Sequence, residues 1–279
     1  MDKIVFQCEN ITKKYNGEPV VQGINLELRQ GGFISLAGPS GAGKTTLFNV
    51  LSGVDKPDYG RVIFNGEDVT GVSGKVSYML QKDLLLEYRT VLDNAILPLL
   101  IRGEKKKAAR EYASGFFPLF GLSGYEKKYP NELSGGMRQR AALIRTYLSA
   151  SRDERFMASG SETPDASRGG ISGAEKTGGR ARSNPVILLD EPFSALDAIT
   201  RRKTQLWYAD IAVKMNISTL FITHDVEEAL VLSDTVYIMN GKPGKITRKI
   251  DVERPREEAF AVSVEFARQK KLILDAIGE

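Results

Sequence analysis

The chain has 279 residues, 42% apolar and 27% charged, enough for one large or two modest domains with an ample core. Its net charge of +4 is too weak and too dispersed to argue for nucleic acid, and its single cysteine, Cys8, excludes an internal disulfide or a multi-cysteine metal site. No apolar run approaches the ~20 residues that span a bilayer, and Met1-Asp2-Lys3-Ile4 leads into an alternating stretch rather than a signal peptide, so the chain is expected in the cytosol.

Residues 1–35 read as short strands and turns: Ile4–Gln7, a turn at Asn16-Gly17, Val20–Leu28, then Gly31-Gly32 and Phe33–Leu36. Cys8 is expected to be an inert filler at a strand end. A glycine-rich turn, Gly38–Gly43, leads into a helical pattern at Lys44–Leu51, where Leu47, Phe48 and Leu51 share a face. Gly60–Val69 is hairpin-like and precedes a strand at Val76–Leu80. From about Leu84 to Arg145 the apolar spacing turns helical, broken at Pro98, Pro118 and Pro130, with Lys105–Lys107 as a solvated helix face.

Residues 152–184 are rich in Ser, Gly and Arg, with few large apolar residues beyond Phe156, Met157 and Ile171; they are expected to be a disordered loop. Lengthening a loop tenfold costs only ~2 kcal/mol of closure entropy, which a domain tolerates. Strands and helices then alternate: strand Val186–Leu189, helix Ala198–Val213, strand Ser218–Ile222, helix Val226–Leu232, strand Thr235–Met239. Such alternation implies an α/β fold with a largely parallel sheet covered on both faces, the helical stretch forming a separate subdomain. In the tail, Phe260, Val264, Phe266, Leu272 and Ile277 fall roughly on one helical side, to pack back on the protein or on a partner.

The run Gly38-Pro39-Ser40-Gly41-Ala42-Gly43-Lys44-Thr45 fits G-x-x-x-x-G-K-[ST] and sits between a strand and a helix. Its glycines let successive N–H groups point inward around a phosphate, and the helix N-terminus adds partial positive charge. Lys44 reaches the β- and γ-phosphates and the Thr45 hydroxyl takes one Mg²⁺ position. Val186–Leu189 ends in Asp190, placed at the carboxyl edge of a buried strand to hold Mg²⁺, and Glu191 follows as a general base for the attacking water. These motifs make a P-loop NTPase; kinases, GTPases and helicase-like motors stay open at this point.

Leu133-Ser134-Gly135-Gly136-Met137-Arg138-Gln139-Arg140 narrows the choice. Ser134, Gly135 and Gly136 start a second helix whose hydroxyl and bare N–H groups suit a γ-phosphate. The run matches the signature of ATP-binding cassette (ABC) ATPases, and the chain resembles that family from about residue 4 to 245. The resemblance implies a RecA-like parallel-sheet core with an antiparallel β subdomain and an inserted α-helical subdomain. It divides the chain into an ATPase domain over 1–245, with helices over about 84–145, and a strand-and-helix extension over 246–279. It also implies that two copies pack head to tail, each closing its signature over the ATP held by the other.

Carried over position by position, the resemblance makes Tyr15 the ring that stacks on adenine. It gives the phosphate site Gly38 to Thr46, Thr46 included. Gln81 becomes the glutamine that touches Mg²⁺ or the attacking water, Ser194–Asp197 the loop crossing the dimer interface, with Asp197 near nucleotide, and His224 the γ-phosphate contact beside Glu191. Leu84-Leu85-Leu86 and Val91-Leu92 resemble the segment that grips a membrane subunit. Met137–Arg140, Asp190–Asp197 with Phe193, Arg89–Asn94, and Arg254-Pro255-Arg256 followed by Phe260 are most similar to the importer ATPases of nitrate, sulfonate and taurine. ATP and Mg²⁺, permease subunits, an external solute-binding protein and the cytoplasmic face of the membrane follow as expectations. A soluble ABC ATPase and an exporter ATPase are the alternatives. The family has a tight connection where this chain has 152–184, and activity is expected to survive that departure.

Overall fold

A computed structural model of the chain describes residues 3–151, 184–252 and 263–278. Met1, Asp2, residues 152–183 of the expected loop, and Arg254, Pro255, Arg256 and Phe260 of the tail lie outside the described residues. The chain divides into two compact units, one formed by residues up to Lys82 and from Asn184 onward, the other by the residues between them. No helix among the described residues is long and apolar enough to cross a membrane.

The first unit carries two sheets. β1 (Ile4–Tyr15) and β2 (Glu18–Arg29) form a long antiparallel hairpin through Asn16-Gly17. With β4 (Tyr59–Phe64) and β5 (Glu67–Asp68) they make a four-stranded sheet in the order β2-β1-β4-β5. β1 runs well beyond the expected Gln7. Asn10 takes a positive φ of 52° and the pairing register shifts between Cys8 and Ile11, so the apolar alternation changes face mid-strand and hides its second half. Cys8 is therefore internal to the strand and buried, not at its end.

The second sheet is β3 (Phe33–Ala37), β6 (Ser77–Met79), β7 (Val186–Asp190), β8 (Ser218–Thr223), β9 (Thr235–Asn240) and β10 (Lys245–Asp251). Their order is β10-β9-β3-β8-β7-β6, parallel except for β10 at one edge. β3, β7 and β8 are buried along their whole length, which is why apolar residues dominate them without a polar alternation. Helix α1 (Lys44–Leu51) follows β3, and its Leu47, Phe48, Val50 and Leu51 join residues of both sheets in one core with Phe6, Ile24, Leu36, Leu188 and Ile222.

The second unit contains α2 (Val91–Ala95), α3 (Leu97–Ile101), α4 (Lys106–Ser114) and α5 (Gly135–Ala150). The helical run is interrupted at Pro98 as expected: α2 ends at Ala95 and Pro98 sits in the first turn of α3, where its missing N–H costs nothing. An aromatic cluster fills the interior, Phe116 lying 5.2 Å from Tyr112 and 5.3 Å from Tyr147 between ring centroids. Asn94 is fully buried and holds the segment before α2: its Oδ1 accepts from the N–H of Leu86 at 2.7 Å, and its amide donates to the carbonyls of Leu86, Arg89 and Thr90 at 3.1, 3.1 and 3.0 Å. Lys105, Lys106 and Lys107 are exposed, Lys106 lying 3.8 Å from Asp93.

The remaining helices return to the first unit: α6 (Ala198–Lys214), α7 (Val226–Leu232) and α8 (Val264–Gly278). α7 packs on β3 and β8, and α8 packs on α7 and β9. The tail helix thus packs back on the protein, but through Phe266, Gln269, Ile273 and Ala276. Val264 and Leu272, expected on the packed side, are exposed, because the buried stripe advances by three and four residues from Phe266.

Candidate active site

Four loops leave the carboxyl ends of four neighbouring parallel strands: the glycine-rich loop after β3, Gln81 after β6, Asp190-Glu191 at the end of β7, and His224 after β8. Adjacent registers, with Ala37 opposite Thr223, Asp190 opposite Ile222 and Met79 opposite Leu189, end these strands at one level. Ligands of open parallel sheets bind at this edge.

The glycine-rich loop turns through Gly38, Gly41 and Gly43 at φ of 155°, 82° and 89°. A Cβ on Gly38 would lie 2.0 Å from the carbonyl oxygen of Met239, so no other residue fits between the loop and β9. Gly43 stands at the N-terminus of α1 and supplies no side-chain cap, leaving the first N–H groups of the helix to a ligand. Pro39 and Ser40 are exposed, whereas Ala42 is buried. Lys44 is largely buried and donates to the carbonyls of Gly38 and Pro39, each at 2.8 Å. Burial lowers its pKa, with Glu191 and Asp190 opposing the shift.

Beside Lys44, the Thr45 hydroxyl donates to Asp190 Oδ2 at 3.2 Å, and the Tyr78 hydroxyl donates to the same oxygen at 3.2 Å. Burial raises the Asp190 pKa against the lowering effect of these two bonds. Thr45 and Asp190 together offer hard oxygen donors of the kind Mg²⁺ takes alongside phosphate oxygens, so the residues present fit that ion. Thr46 is half-buried one position on.

Glu191 is the strained residue of the site, with φ at +46° and its N–H donating to the Ile222 carbonyl at 3.1 Å. A non-glycine residue held in this region costs about 1 kcal/mol and persists where the surroundings over-determine it. Its two carboxylate oxygens are engaged separately: Oε1 lies 3.3 Å from His224 Nδ1, and Oε2 accepts from Gln81 Nε2 at 3.0 Å. Gln81, expected near the metal or the water, is therefore set against Glu191 rather than against Thr45 and Asp190.

Behind His224 lies a residue that sequence reasoning passed over. Glu228 is buried in α7, accepts from Gln205 Nε2 at 2.9 Å and from the Thr223 hydroxyl, and has its pKa raised mainly by burial. Thr223 Oγ1 in turn accepts from the Asp225 N–H at 3.0 Å, so both neighbours of His224 are fixed from within. The available signal was a carboxylate on the apolar side of the Val226–Leu232 pattern. Tyr78 was also missed; its hydroxyl reaches across to the next strand, which a linear reading does not show.

Ser194 Oγ donates to the Glu191 carbonyl at 2.9 Å, and Asp197 caps α6 by accepting from the Thr200 N–H at 3.0 Å, which holds its pKa below the usual carboxylate range. Tyr15 ends β1 with its ring exposed, in the same unit as the phosphate loop. Ser134 caps α5, accepting from the Met137 N–H at 3.4 Å, and Gly135 and Gly136 open that helix; these three residues belong to the other unit. The structure thus brings Lys44, Thr45 and Asp190 together and Gln81, Glu191 and His224 together. The signature residues belong to the second compact unit.

A family model described as ABC transporter matches residues 21–152. The chain is 36% identical to an uncharacterised ABC transporter ATP-binding protein of Methanocaldococcus jannaschii, covering 99% of this chain and 92% of that protein. It is 35% identical to the formylaminopyrimidine import ATP-binding protein of Halalkalibacterium halodurans, over 87% of this chain and 82% of that one. It is 34% identical to the aliphatic sulfonates import ATP-binding protein of Bacillus cereus, over 85% and 80%. Among solved structures, the dimeric form of a bacterial ABC transporter cassette aligns with a TM-score of 0.66 at 23% identity, over 89% of this chain and 99% of that one. The ADP conformation of another ABC transporter cassette aligns at 0.69 and 22%, over 99% and 100%. At such identity these two speak for the fold alone, and that fold is the one expected.

Proposed function

The chain belongs to the ABC transporter family as an ATP-binding subunit, and from that premise we propose that it is the ATPase of an importer for small anionic solutes such as nitrate, sulfonate or taurine. The observation that carries the catalytic part is Glu191, held in a left-handed conformation between His224 and Gln81 one residue beyond Asp190. A carboxylate so braced accepts the proton of the attacking water, with His224 and Gln81 fixing its direction. Lys44 and the N–H groups at the start of α1 bind and orient the phosphates, and Tyr15 stacks on adenine. Thr45 and Asp190 would hold Mg²⁺, which when bound neutralises developing phosphate charge.

Only one phosphate loop is present, yet Ser134, Gly135 and Gly136 offer a second anion-binding helix start on the other unit; a second copy of the chain gives that site its nucleotide. Ahead of α2, Leu84 and Tyr88 are exposed while Leu85, and Val91 at the start of α2, are buried anchors, which supports docking of a permease helix there. The complex would sit at the cytoplasmic face of the membrane, with an external solute-binding protein delivering cargo. The import direction rests on the import names of two relatives, and the anionic cargo on the aliphatic sulfonates name of one of them and on the motif resemblance.

The test is affinity capture of tagged Glu191→Gln protein from its own membranes with ATP and Mg²⁺, followed by mass spectrometry. A co-purifying permease with a solute-binding protein is expected. Recovery of a permease alone that exports, or of soluble partners only, would overturn the importer reading.

A further inference from the structure

Tyr15, Lys13 and Asp55 close a triangle in the first unit. The Tyr15 hydroxyl donates to Asp55 Oδ2 at 2.7 Å, Lys13 Nζ donates to Asp55 Oδ1 at 2.8 Å, and the same ammonium lies 5.1 Å from the centre of the Tyr15 ring. Lys13 also donates to the Lys56 carbonyl at 2.9 Å, so it cannot swing away without losing two bonds. The Lys13 bond, foremost, holds the Asp55 carboxyl below the usual range and keeps it charged at neutral pH.

Asp55 is itself fixed. Its N–H donates to the carbonyl of Asn49 at 3.0 Å, and Asn49 belongs to α1, the helix that opens from the phosphate loop. The Tyr15 ring is 45% exposed, and such a ring ordinarily samples several rotamers. Here its hydroxyl is tethered to a carboxylate whose own backbone is hydrogen-bonded to the helix that opens from the phosphate loop.

We propose that Asp55 is a positioning residue for nucleotide recognition: through the Tyr15 hydroxyl it sets the ring at a fixed span from the phosphate loop, so that an adenine nucleotide meets both at once. This rests on the reading of Tyr15 as the ring that stacks on adenine. Immobilising one exposed side chain is equivalent to about 2- to 12-fold in affinity, which bounds the effect of removing the tether.

The experiment is calorimetric titration of ATP, and separately of inorganic tripolyphosphate, into the parent, Asp55→Ala, Tyr15→Phe, their combination, Asp55→Asn and Tyr15→Ala, with steady-state kinetics in parallel. Asp55→Ala and Tyr15→Phe are each expected to weaken ATP roughly 3- to 10-fold, without adding in the double variant, and to raise KM with kcat unchanged. Tripolyphosphate, which has no base, is expected to bind all of them equally. Asp55→Asn retains an acceptor for the hydroxyl and guards against a folding artefact; it is expected within about two-fold of the parent. If Tyr15→Ala weakens ATP but Asp55→Ala and Tyr15→Phe do not, the positioning role is wrong and the stacking reading stands. If Tyr15→Ala also binds ATP like the parent, the stacking reading fails and takes the proposal with it. An equal loss for tripolyphosphate in Asp55→Ala would also overturn the proposal, because Asp55 would then act through α1.

Discussion

Adding one methyl group at Gly244 sets the turn before β10 against the phosphate loop. The Gly244 N–H donates to the Val20 carbonyl at 2.9 Å and its carbonyl accepts from the Gln22 N–H at 3.0 Å, so the turn is clamped to β2. A Cβ there would lie 1.9 Å from the carbonyl oxygen of Ala42 and 2.5 Å from Met239 Cε, whereas real Cβ atoms essentially never come within 3.0 Å of such a neighbour. The turn and the loop must therefore part by about 1.1 Å, a displacement a close-packed interior does not absorb freely. Overpacking of this kind costs ~1–3 kcal/mol. Borne by the phosphate loop, that cost raises the dissociation constant for ATP roughly 5- to 150-fold. Calorimetric titration of ATP with Mg²⁺ into Gly244→Ala, with a parallel thermal melt, measures it. Gly66→Ala serves as control: Gly66 has φ +84° and a Cβ there would meet nothing within 4 Å, so the change strains only its own turn and leaves ATP affinity unchanged. Unaltered ATP affinity in Gly244→Ala would refute the reasoning, whatever happened to the melting temperature.

Removing the Glu228 side chain in Glu228→Ala leaves Gln205 and Thr223 buried without their partner, at about 1–3 kcal/mol each, and loosens the chain on both sides of His224. Turnover is expected to fall with ATP affinity retained, and Glu228→Gln to restore most of it; equal turnover in Glu228→Ala and the parent would contradict the role. Because burial raises the Glu228 pKa, the folded chain holds that proton more tightly than the unfolded one. The stability it contributes is present in acid and is lost as pH rises from the ordinary 4.5 through the raised folded value. The melting temperature of Glu228→Gln should accordingly decline less than the parent's across that window, and an identical decline would count against it. Cys8 is buried, its sulfur donates to the Ile24 carbonyl at 3.8 Å, and burial pushes its thiol up to about 12. At pH 8 only about one molecule in 10⁴ then carries the thiolate, so a disulfide-exchange reagent should label the unfolded chain and spare the native one. Rapid labelling of native protein would show otherwise.

The parallel sheet was readable because a strand buried on both faces carries consecutive apolar residues without alternation, as in Val186–Leu189 and Leu220–Ile222. β10, the strand of the 246–279 extension, was foreseen only through the family resemblance and not from its pattern: Lys245–Asp251 is an edge strand in which only Ile246 and Ile250 are partly buried, and its Lys and Arg residues mark it as solvated. The second half of β1 was concealed by the turn of register at Asn10, and the packed face of the tail helix by counting Val264 and Leu272 into a stripe that Ile273 and Ala276 occupy. In the site, Lys44, Thr45, Asp190, Glu191 and His224 are legible because phosphate chemistry demands those residue types in a strand–turn–helix context. The left-handed backbone of Glu191 is not, since no local spacing announces it; in the fold its N–H is held by the Ile222 carbonyl of the neighbouring strand. Tyr78, Asp55 and Glu228 escaped for a common reason: each acts on a residue brought to it by the sheet or by helix packing, with no local spacing to betray the contact.

The most direct test of the catalytic account is the single-turnover rate of Glu191→Gln with ATP and Mg²⁺, read alongside its mass in solution. The substitution keeps shape and removes only the carboxylate that takes the proton of water. Hydrolysis is expected to fall by about 10²- to 10⁴-fold while ATP still binds and a nucleotide-bound dimer accumulates. Hydrolysis at the parent rate would show that Glu191, for all its bracing by Gln81 and His224, is not the base.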